Sequence, residues 1–410
     1  MTEILVIGAG PAGLLAAFQI RLRGARVRVV AAGIGTSHIM PGWLSVLDTE
    51  DDLPSALERW TASHPEHPYA LTGLEALHTG VASFRELAAG AGLSYVGELK
   101  ANFRLPTALG AIIRAALVPE SFVAGDISSA GPMLIAGPAG WRDFYPKLCA
   151  ANLARQGIPA ASTTFELSEH QRGKFDLTSV GLARLFDRAE VRARVADQLR
   201  ARLDGATRVG FPAVLGLEQS NLAWNDLQDR LGVQVFEIPT LPPSVPGMRL
   251  YNAFKRALSR ARVQVLLDMT ATRGVVEGSR ALGIVVPNVV REASYRADEV
   301  ILATGGLYGG GISTDHRGGM REVIFDLPVA VTGAKGGWFN ERLLSDRGHP
   351  IHSAGVRANR ELQPVDEAGR VILENVRVAG RLLAGYDPVQ EGSTEGVWLA
   401  TASRAAFCAE

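Results

Sequence analysis

Ile4-Leu5-Val6-Ile7-Gly8-Ala9-Gly10-Pro11-Ala12-Gly13-Leu14-Leu15-Ala16-Ala17 decides how the chain folds. An apolar strand runs into three glycines spaced G-x-G-x-x-G, and a helix of small residues follows. Gly8 allows the tight turn, Gly10 admits a pyrophosphate against the backbone, and Gly13 lets the helix pack closely on the sheet. The free N–H groups of the helix N-terminus then face the phosphate. A second strand is expected over Arg26–Ala31, which completes a nucleotide-binding β-α-β unit.

The usual acid is missing from this unit. An Asp or Glu about 20 residues on commonly holds the ribose hydroxyls, but the second strand ends Val29-Val30-Ala31-Ala32-Gly33. Either backbone and hydroxyl groups around Ala31, Thr36 and Ser37 hold an adenosine ribose, or the cofactor has no adenosine. FAD and FMN therefore both remain open.

Bulk properties exclude several classes. A chain of 410 residues calls for at least two domains. Forty-two basic and 42 acidic residues cancel, and no basic stripe is present, so no nucleic-acid footprint exists. The apolar stretch Ala108–Val118 is interrupted by Arg114 and too short to span a bilayer. No direct membrane insertion and no leader are expected, which makes the chain cytoplasmic. Cys149 and Cys408 are too few for a disulfide framework or an iron–sulfur cluster, and no metal site is expected.

Further along, Asp48–Gly92 reads as helical, broken at His64-Pro65 and His67-Pro68. Pro132–Ala136 reads as a strand, Gly137–Gly140 as an ordinary turn rather than a second phosphate cradle, and Trp141–Arg155 as a helix. Ile158–Leu167 returns as a strand. Helices over Thr178–Leu203 present a solvated amphipathic face. Strands at Arg208–Leu215 and Val233–Ile238 flank a helix at Ala223–Leu231, and a stiff proline loop leads into a helix over Met248–Arg262. Val263–Leu267, Val275–Glu277, Ala281–Val286 and Ser294–Arg296 read as an antiparallel meander.

Two later stretches join the first. The strand Asp298–Ala303 ends in Thr304-Gly305, where a small turn passes close to a cofactor and bulk would block it. This resembles the second signature of the two-dinucleotide-binding flavoprotein group. The strand Glu374–Gly380 and the helix Ser393–Phe407 form the third, with that helix aimed at the flavin's pyrimidine edge. Gly392, Glu395, Gly396 and Val397 are placed there, and Glu395, awkward beside a developing anion, is expected to turn its side chain to solvent. The expected cofactor contacts are thus Gly8, Gly10, Gly13, Ala31, Ser37, Thr304, Gly305, Gly380, Gly392, Gly396 and Val397. Three signatures argue against a nicotinamide dehydrogenase, which needs only the first. They indicate an α/β, FAD/NAD(P)-binding Rossmann-like flavoprotein fold with an inserted second α/β domain. The expected division is 1–70, 250–312 and 370–410 for a discontinuous flavin-binding domain, 71–249 for the inserted domain, and 313–369 for a substrate, cap or partner-contact segment.

Four stretches carry a more specific resemblance. They are Pro239-Thr240-Leu241-Pro242-Pro243-Ser244-Val245-Pro246-Gly247-Met248-Arg249-Leu250; His67-Pro68-Tyr69; Arg317-x-Gly319-x-Arg321-Glu322; and Gly385-Tyr386-Asp387-Pro388. With them the chain resembles, over nearly its whole length, the B subunits of anaerobic glycerol-3-phosphate dehydrogenases. The resemblance implies oxidation of sn-glycerol 3-phosphate to dihydroxyacetone phosphate, beside a second flavoprotein, the A subunit. A membrane-associated iron–sulfur protein, the C subunit, then passes the electrons to quinone. It also implies FMN as the cofactor, where the fingerprint implies FAD, and a location at the inner face of the cell membrane through a partner.

Hydride removal from C2 of an alcohol needs a base for the hydroxyl proton and cations for the phosphate. The candidates are His38, in the loop after the second strand, His352, ahead of Gly355-Val356, and Arg317 with Arg321, which could fork a phosphate. Structural roles stand beside each of these, including a salt bridge from Arg321 to Glu322 or Asp326. Hydride transfer could also belong wholly to the flavoprotein partner. The competing functions are a non-catalytic assembly protein that kept the fold, and a related flavin oxidoreductase acting on another alcohol or an amine.

Overall fold

The computed structural model describes residues 2–167, 177–287 and 292–409; His170 lies outside them. The chain divides into two compact units. One comprises Met1–Ser37, Ser45–Gly92 and Ala253–Glu410, the other His38–Leu44 and Leu93–Asn252.

The first unit is built on a parallel five-stranded sheet. Its spatial order is Gln264–Leu266, Arg26–Val30, Glu3–Ile7, Glu299–Leu302, Val376–Val378. Ile4, Leu5, Val6, Val300, Ile301, Leu302, Val376 and Val378 are all buried, the continuous apolar run that a sheet covered on both faces requires. The helix Pro11–Leu22 starts at Gly10 and is buried from Pro11 to Ile20. Such a helix is apolar all round because it is covered all round. Its Gln19 donates to Ser83 Oγ and Ser403 Oγ, tying it to the helices Leu74–Gly90 and Thr394–Cys408. Those two helices approach so closely that a Cβ at Gly80 would lie 2.4 Å from the Leu399 carbonyl oxygen.

Three expectations are corrected here. Gln264–Leu266 is not part of the meander; it is the parallel edge strand beside Arg26–Val30, and the meander comprises Arg273–Glu277, Arg280–Val286 and Ala293–Arg296. Residues 71–92 belong with the first unit rather than an inserted domain, because the helix Leu74–Gly90 packs on the C-terminal helix. Residues 313–369 also cluster with the first unit, and 38–44 with the second.

The second unit carries a parallel four-stranded sheet in the order Gln234–Ile238, Arg208–Pro212, Met133–Pro138, Ala160–Phe165. Its core includes Phe165, Phe186 and Phe211, with ring centroids 5.9–6.3 Å apart. The expected helix over 141–155 begins only at Pro146, whose missing N–H is harmless in a first turn. The helical stretch from Thr178 is two helices, Ser179–Phe186 and Ala189–Arg200. Asp187 sits at the break and accepts the N–H groups of Leu217, Glu218 and Gln219. The proline-rich stretch has a structural job. Ser244 Oγ accepts the Gly247 N–H and starts the helix Val245–Arg260 earlier than expected. Arg249 grips Glu237 through two bonds of 2.7 and 3.0 Å, both side chains buried.

Candidate functional site

The glycine turn has the shape that the spacing predicts. Gly8 sits at φ +114°, and a Cβ there would lie 2.2 Å from the Ala303 carbonyl oxygen; one at Gly13 would lie 2.1 Å from the Gly8 oxygen. A Cβ at Gly10 would meet nothing within 4 Å. Gly8 and Gly13 therefore serve close packing, and Gly10 keeps open space before the helix N-terminus, where an anion is favoured.

The other expected ribose contacts are differently engaged. The Ala31 N–H donates to Leu266 and its carbonyl accepts from Met269. Ser37 is buried with its hydroxyl on the Ile34 carbonyl, and Gly35 lies against the Gly10 backbone. Thr36 is exposed.

Thr304 and Gly305 closely follow the strand Glu299–Leu302, which lies beside the central one. Gly305 is at φ +80°, and Gly311 folds back so tightly that a Cβ would lie 1.9 Å from the Gly305 oxygen and 2.6 Å from Thr304 Oγ1. That Thr304 hydroxyl is buried and has no hydrogen-bond partner among the described residues. Buried polar groups are rarely left so, and one beside a glycine turn fits a missing ligand. Arg381, whose buried Nη1 also has no hydrogen-bond partner among the described residues, and His352 adjoin this turn. Tyr308 lies edge-on to His352 at 6.3 Å, a Cβ at Gly306 would touch the Arg381 carbonyl, and the Arg381 guanidinium donates to the His352 carbonyl. His352 Nδ1 stands 3.4 Å from Asp387 Oδ1, while Asp387 Oδ1 caps the short helix Pro388–Glu391. The Arg381 guanidinium lies over the ring of buried Tyr386, 5.2 Å from its centroid. A cleft of about 420 Å³ reaches Ser353, Arg357 and Ala384 beside this set.

The remaining candidates are not part of it. His38 belongs to the second unit, edge-on to Tyr251 at 5.4 Å, with burial lowering its pKa. Arg317 and Arg321 are exposed on the hairpin formed by Ile312–Thr314 and Met320–Glu322. Arg321 pairs with Asp326 at 3.4 Å. Glu322 is buried and instead accepts the N–H groups of Ile324 and Phe325; burial pushes its carboxyl up to about 7.

At the third signature the structure departs from expectation. A Cβ at Gly380 would come 2.9 Å from Ala12 Cβ, so its absence allows a close approach to the first helix, but the Gly380 N–H is held by Thr401 Oγ1. Gly392, at φ +58°, packs on Asp48. The Gly396 N–H donates to the Ser45 carbonyl and the Val397 N–H to the Ser393 carbonyl. Glu395 does not point to solvent. It is 5% exposed, accepts the Ser45 N–H at 3.1 Å, and burial raises its carboxyl to about 7. Nearby, His67 is buried; it accepts the Tyr69 N–H at Nδ1, so Nε2 carries the hydrogen it gives to Glu391 at 3.0 Å.

The phosphate end and the Thr304 turn therefore fit a flavin, and the C-terminal helix fits it only with Glu395 at its N-terminus. Sequence reading passed over Arg381 and Asp387 as functional groups. Arg381 follows the glycine of the third signature and Asp387 lies in Gly385-Tyr386-Asp387-Pro388, so both had a local signal. Among the described residues no group of three or more His, Cys, Asp or Glu could hold a metal ion, and no helix is long and apolar enough to cross a membrane.

The sequence profile of the FAD binding domain family matches residues 3–397. The probable anaerobic glycerol-3-phosphate dehydrogenase B subunit of Halobacterium salinarum is 32% identical, over 98% of this chain and 96% of its own. The anaerobic glycerol-3-phosphate dehydrogenase B subunit of Pectobacterium atrosepticum is 28% identical, also over 98% and 96%. Among solved structures, the 3-ketosteroid-Δ4-(5α)-dehydrogenase of Rhodococcus jostii RHA1 covers 100% of this chain and 97% of its own at 13% identity, with a TM-score of 0.43.

Proposed function

Because the chain belongs to the FAD binding domain family and is a homologue, over 98% of its length, of the B subunits of anaerobic glycerol-3-phosphate dehydrogenases, we propose that it is a flavoprotein component of a respiratory dehydrogenase. In this reading the complex oxidises sn-glycerol 3-phosphate to dihydroxyacetone phosphate. The electrons leave through an iron–sulfur partner to quinone. The chain works in the cytoplasm beside a second flavoprotein, and the iron–sulfur partner holds both at the membrane. The family is an FAD-binding one, and FMN finds no support in it. FAD is accordingly the cofactor proposed.

The observation that carries the reading is that the buried atoms Thr304 Oγ1 and Arg381 Nη1 have no hydrogen-bond partner among the described residues, around the turn that follows the strand Glu299–Leu302. Gly8, Gly10 and Gly13 would hold the phosphates, and Thr304 with Gly305 would lie along the cofactor. The flavin would supply the two-electron acceptor. His352 would take the hydroxyl proton at Nε2, with Asp387, 3.4 Å from Nδ1, steadying the imidazolium so formed. Arg381 would offer Nη1 to the substrate's anionic oxygens. The stacking of its guanidinium on Tyr386 limits its movement and thus its entropy loss on binding. Arg317 and Arg321 remain proposals for phosphate capture at the surface.

The test uses the complex, with the chain co-expressed with its partners. Denaturation should release FAD, assignable to this chain by repeating the release on the chain alone. Glycerol 3-phosphate should bleach the flavin, and His352→Ala should slow that bleaching at least a hundredfold, about the lower limit for loss of a general base. A flavin bleached at the wild-type rate in that variant would move hydride transfer to the flavoprotein partner.

One observation favours a second reading, an assembly protein without catalysis. Ala31 and Ser37 are both engaged within the protein, and no acid stands at the second strand's end. That reading requires this chain to carry no flavin, both when purified alone and within the complex.

A further inference from the structure

We propose that the buried pair His67 and Glu391 positions the reaction site: Glu391 holds Asp387 where it serves His352, and His67 holds Glu391. The inference rests on the His352 reading above and adds to it the two residues that fix the geometry of that site.

Two stretches far apart in the sequence, His67-Pro68-Tyr69 and Gly385-Tyr386-Asp387-Pro388, meet in the fold. The His67 ring stands edge-on to that of Tyr386, with centroids 5.9 Å apart. Gly385 makes the approach possible, since a Cβ there would lie 2.6 Å from the Glu66 carbonyl oxygen. The Tyr69 N–H donates to His67 Nδ1, which leaves Nε2 as the only ring donor, and Nε2 donates to Glu391 Oε2 at 3.0 Å.

The Glu391 side chain is only 10% exposed, and three donors converge on it. His67 Nε2 and the Ser393 hydroxyl donate to Oε2, the latter at 2.8 Å, and the Asp387 N–H donates to Oε1 at 2.7 Å. A buried carboxylate with its partners is a poor source of stability, because desolvation offsets most of what the bonds contribute. What such a group does well is fix the place of whatever it bonds, and here that is the backbone of Asp387. The Asp387 carbonyl in turn accepts the Glu391 N–H at 3.0 Å, so the two residues clamp one another.

With its backbone pinned, Asp387 has little freedom left. Its Oδ1 accepts the N–H groups of Val389 and Gln390 at 2.9 and 3.2 Å, and a Cβ at Gly348 would lie 2.5 Å from its Oδ2. The same Oδ1 stands 3.4 Å from His352 Nδ1. The chain of contacts thus runs from His67 through Glu391 and the Asp387 backbone to the ring that would take the substrate proton at its far nitrogen. His67 is 1% exposed and lies behind this site, so its part is to position other groups.

The experiment measures turnover of glycerol 3-phosphate by the intact complex, per bound flavin, for wild type and Glu391→Gln. A carboxamide cannot replace this carboxylate. Whichever way it is turned, its NH2 meets a donor, the Asp387 N–H on one side or His67 Nε2 on the other. A displaced base partner costs rate rather than binding, so kcat should fall by roughly tenfold to a hundredfold while KM stays within about twofold. In an Asp387→Asn background the same substitution should lower kcat no further, because Glu391 acts through Asp387. A wild-type kcat, a loss confined to KM, or a full additional loss in the Asp387→Asn background would overturn the proposal. Should Glu391→Gln not fold, His67 decides. His67→Gln can still donate to Glu391 and should retain at least about tenfold more turnover than His67→Leu, which cannot; equal turnover in the two rejects the positioning role. His352→Ala, run alongside, separates the failures. If it turns over as wild type, the His352 reading falls and this proposal with it. If it is slow and Glu391→Gln is not, only this proposal falls.

Discussion

Thr304 is a polar side chain placed where the protein gives it nothing to bond, and that is costly unless something else arrives. Thr304→Val removes the hydroxyl at nearly constant volume. The flavin-free protein should melt at the same temperature or slightly higher, while flavin binding weakens about five- to tenfold, the value of one hydrogen bond of ~1 kcal/mol. Unchanged affinity by fluorescence titration would remove Thr304 from the cofactor site. Glu322 gives a prediction of the opposite kind, about stability and pH. Its carboxyl sits near 4.5 when unfolded and is pushed to about 7 by burial. Between those values the folded state holds a proton that the unfolded state has released, so stability falls as pH rises, by at most about 1.4 kcal/mol per pH unit. Glu322→Gln should flatten that fall, seen as a smaller difference between urea midpoints at pH 5 and pH 7.5. An unchanged difference would mean that the carboxyl is not protonated in the fold. Neither side chain's environment could be read in advance. Thr304 stands out in the sequence by its glycine neighbours, but only a structure shows that its hydroxyl is orphaned. Glu395 reads as a surface acid because its burial depends on Ser45, 350 residues away.

Elements are more legible than environments. The strand and helix either side of Gly8–Gly13 and the strand before Thr304 lie where the apolar runs predict, because buried parallel strands need uninterrupted apolar sequence. Boundaries slip where a proline or a cap outvotes periodicity, as at Pro146 and Ser244. The edge strand Gln264–Leu266 is misread because three residues cannot reveal their partner; its alternation suits a meander equally well. The helix Leu74–Gly90 goes to the wrong domain for a related reason, since its apolar stripe says that it packs but not on what. Gly80 is the residue that settles this contact. Gly80→Val would drive a branched side chain into the Leu399 carbonyl, and helix separation should cost about 1–3 kcal/mol. Thermal unfolding of the variant would measure it, and a melting temperature within error of wild type would show that the two helices slide apart freely.

At the scale of the molecule, the proline-rich stretch before the helix Val245–Arg260 has a structural role. Leu241–Leu250 starts a helix and delivers Arg249 to Glu237. Glu237 also receives Ser121 and the Leu215 N–H, so the pair organises much of the second unit. Arg249→Met leaves a buried carboxylate without its counter-ion and should destabilise that unit by about 3–5 kcal/mol. Limited proteolysis should then cut within 93–252 first, and wild-type resistance there would refute the role. The five-stranded sheet has a consequence of a different sort, in time rather than energy. Glu3, on its central strand, bonds to Asp298, 295 residues further along. The strands of the second unit's four-stranded sheet, by contrast, all fall between Met133 and Ile238. During synthesis at roughly 5–20 residues per second, the opening strand leaves the ribosome up to a minute before the neighbour that covers its open edge exists. Through that interval the nucleotide-binding half is a half-built sheet with a bare apolar margin, while the segment between its halves is already free to collapse. Yield in a cell should therefore depend on whatever shields that margin, and slowing translation ahead of residue 299 should send more of the product into aggregates.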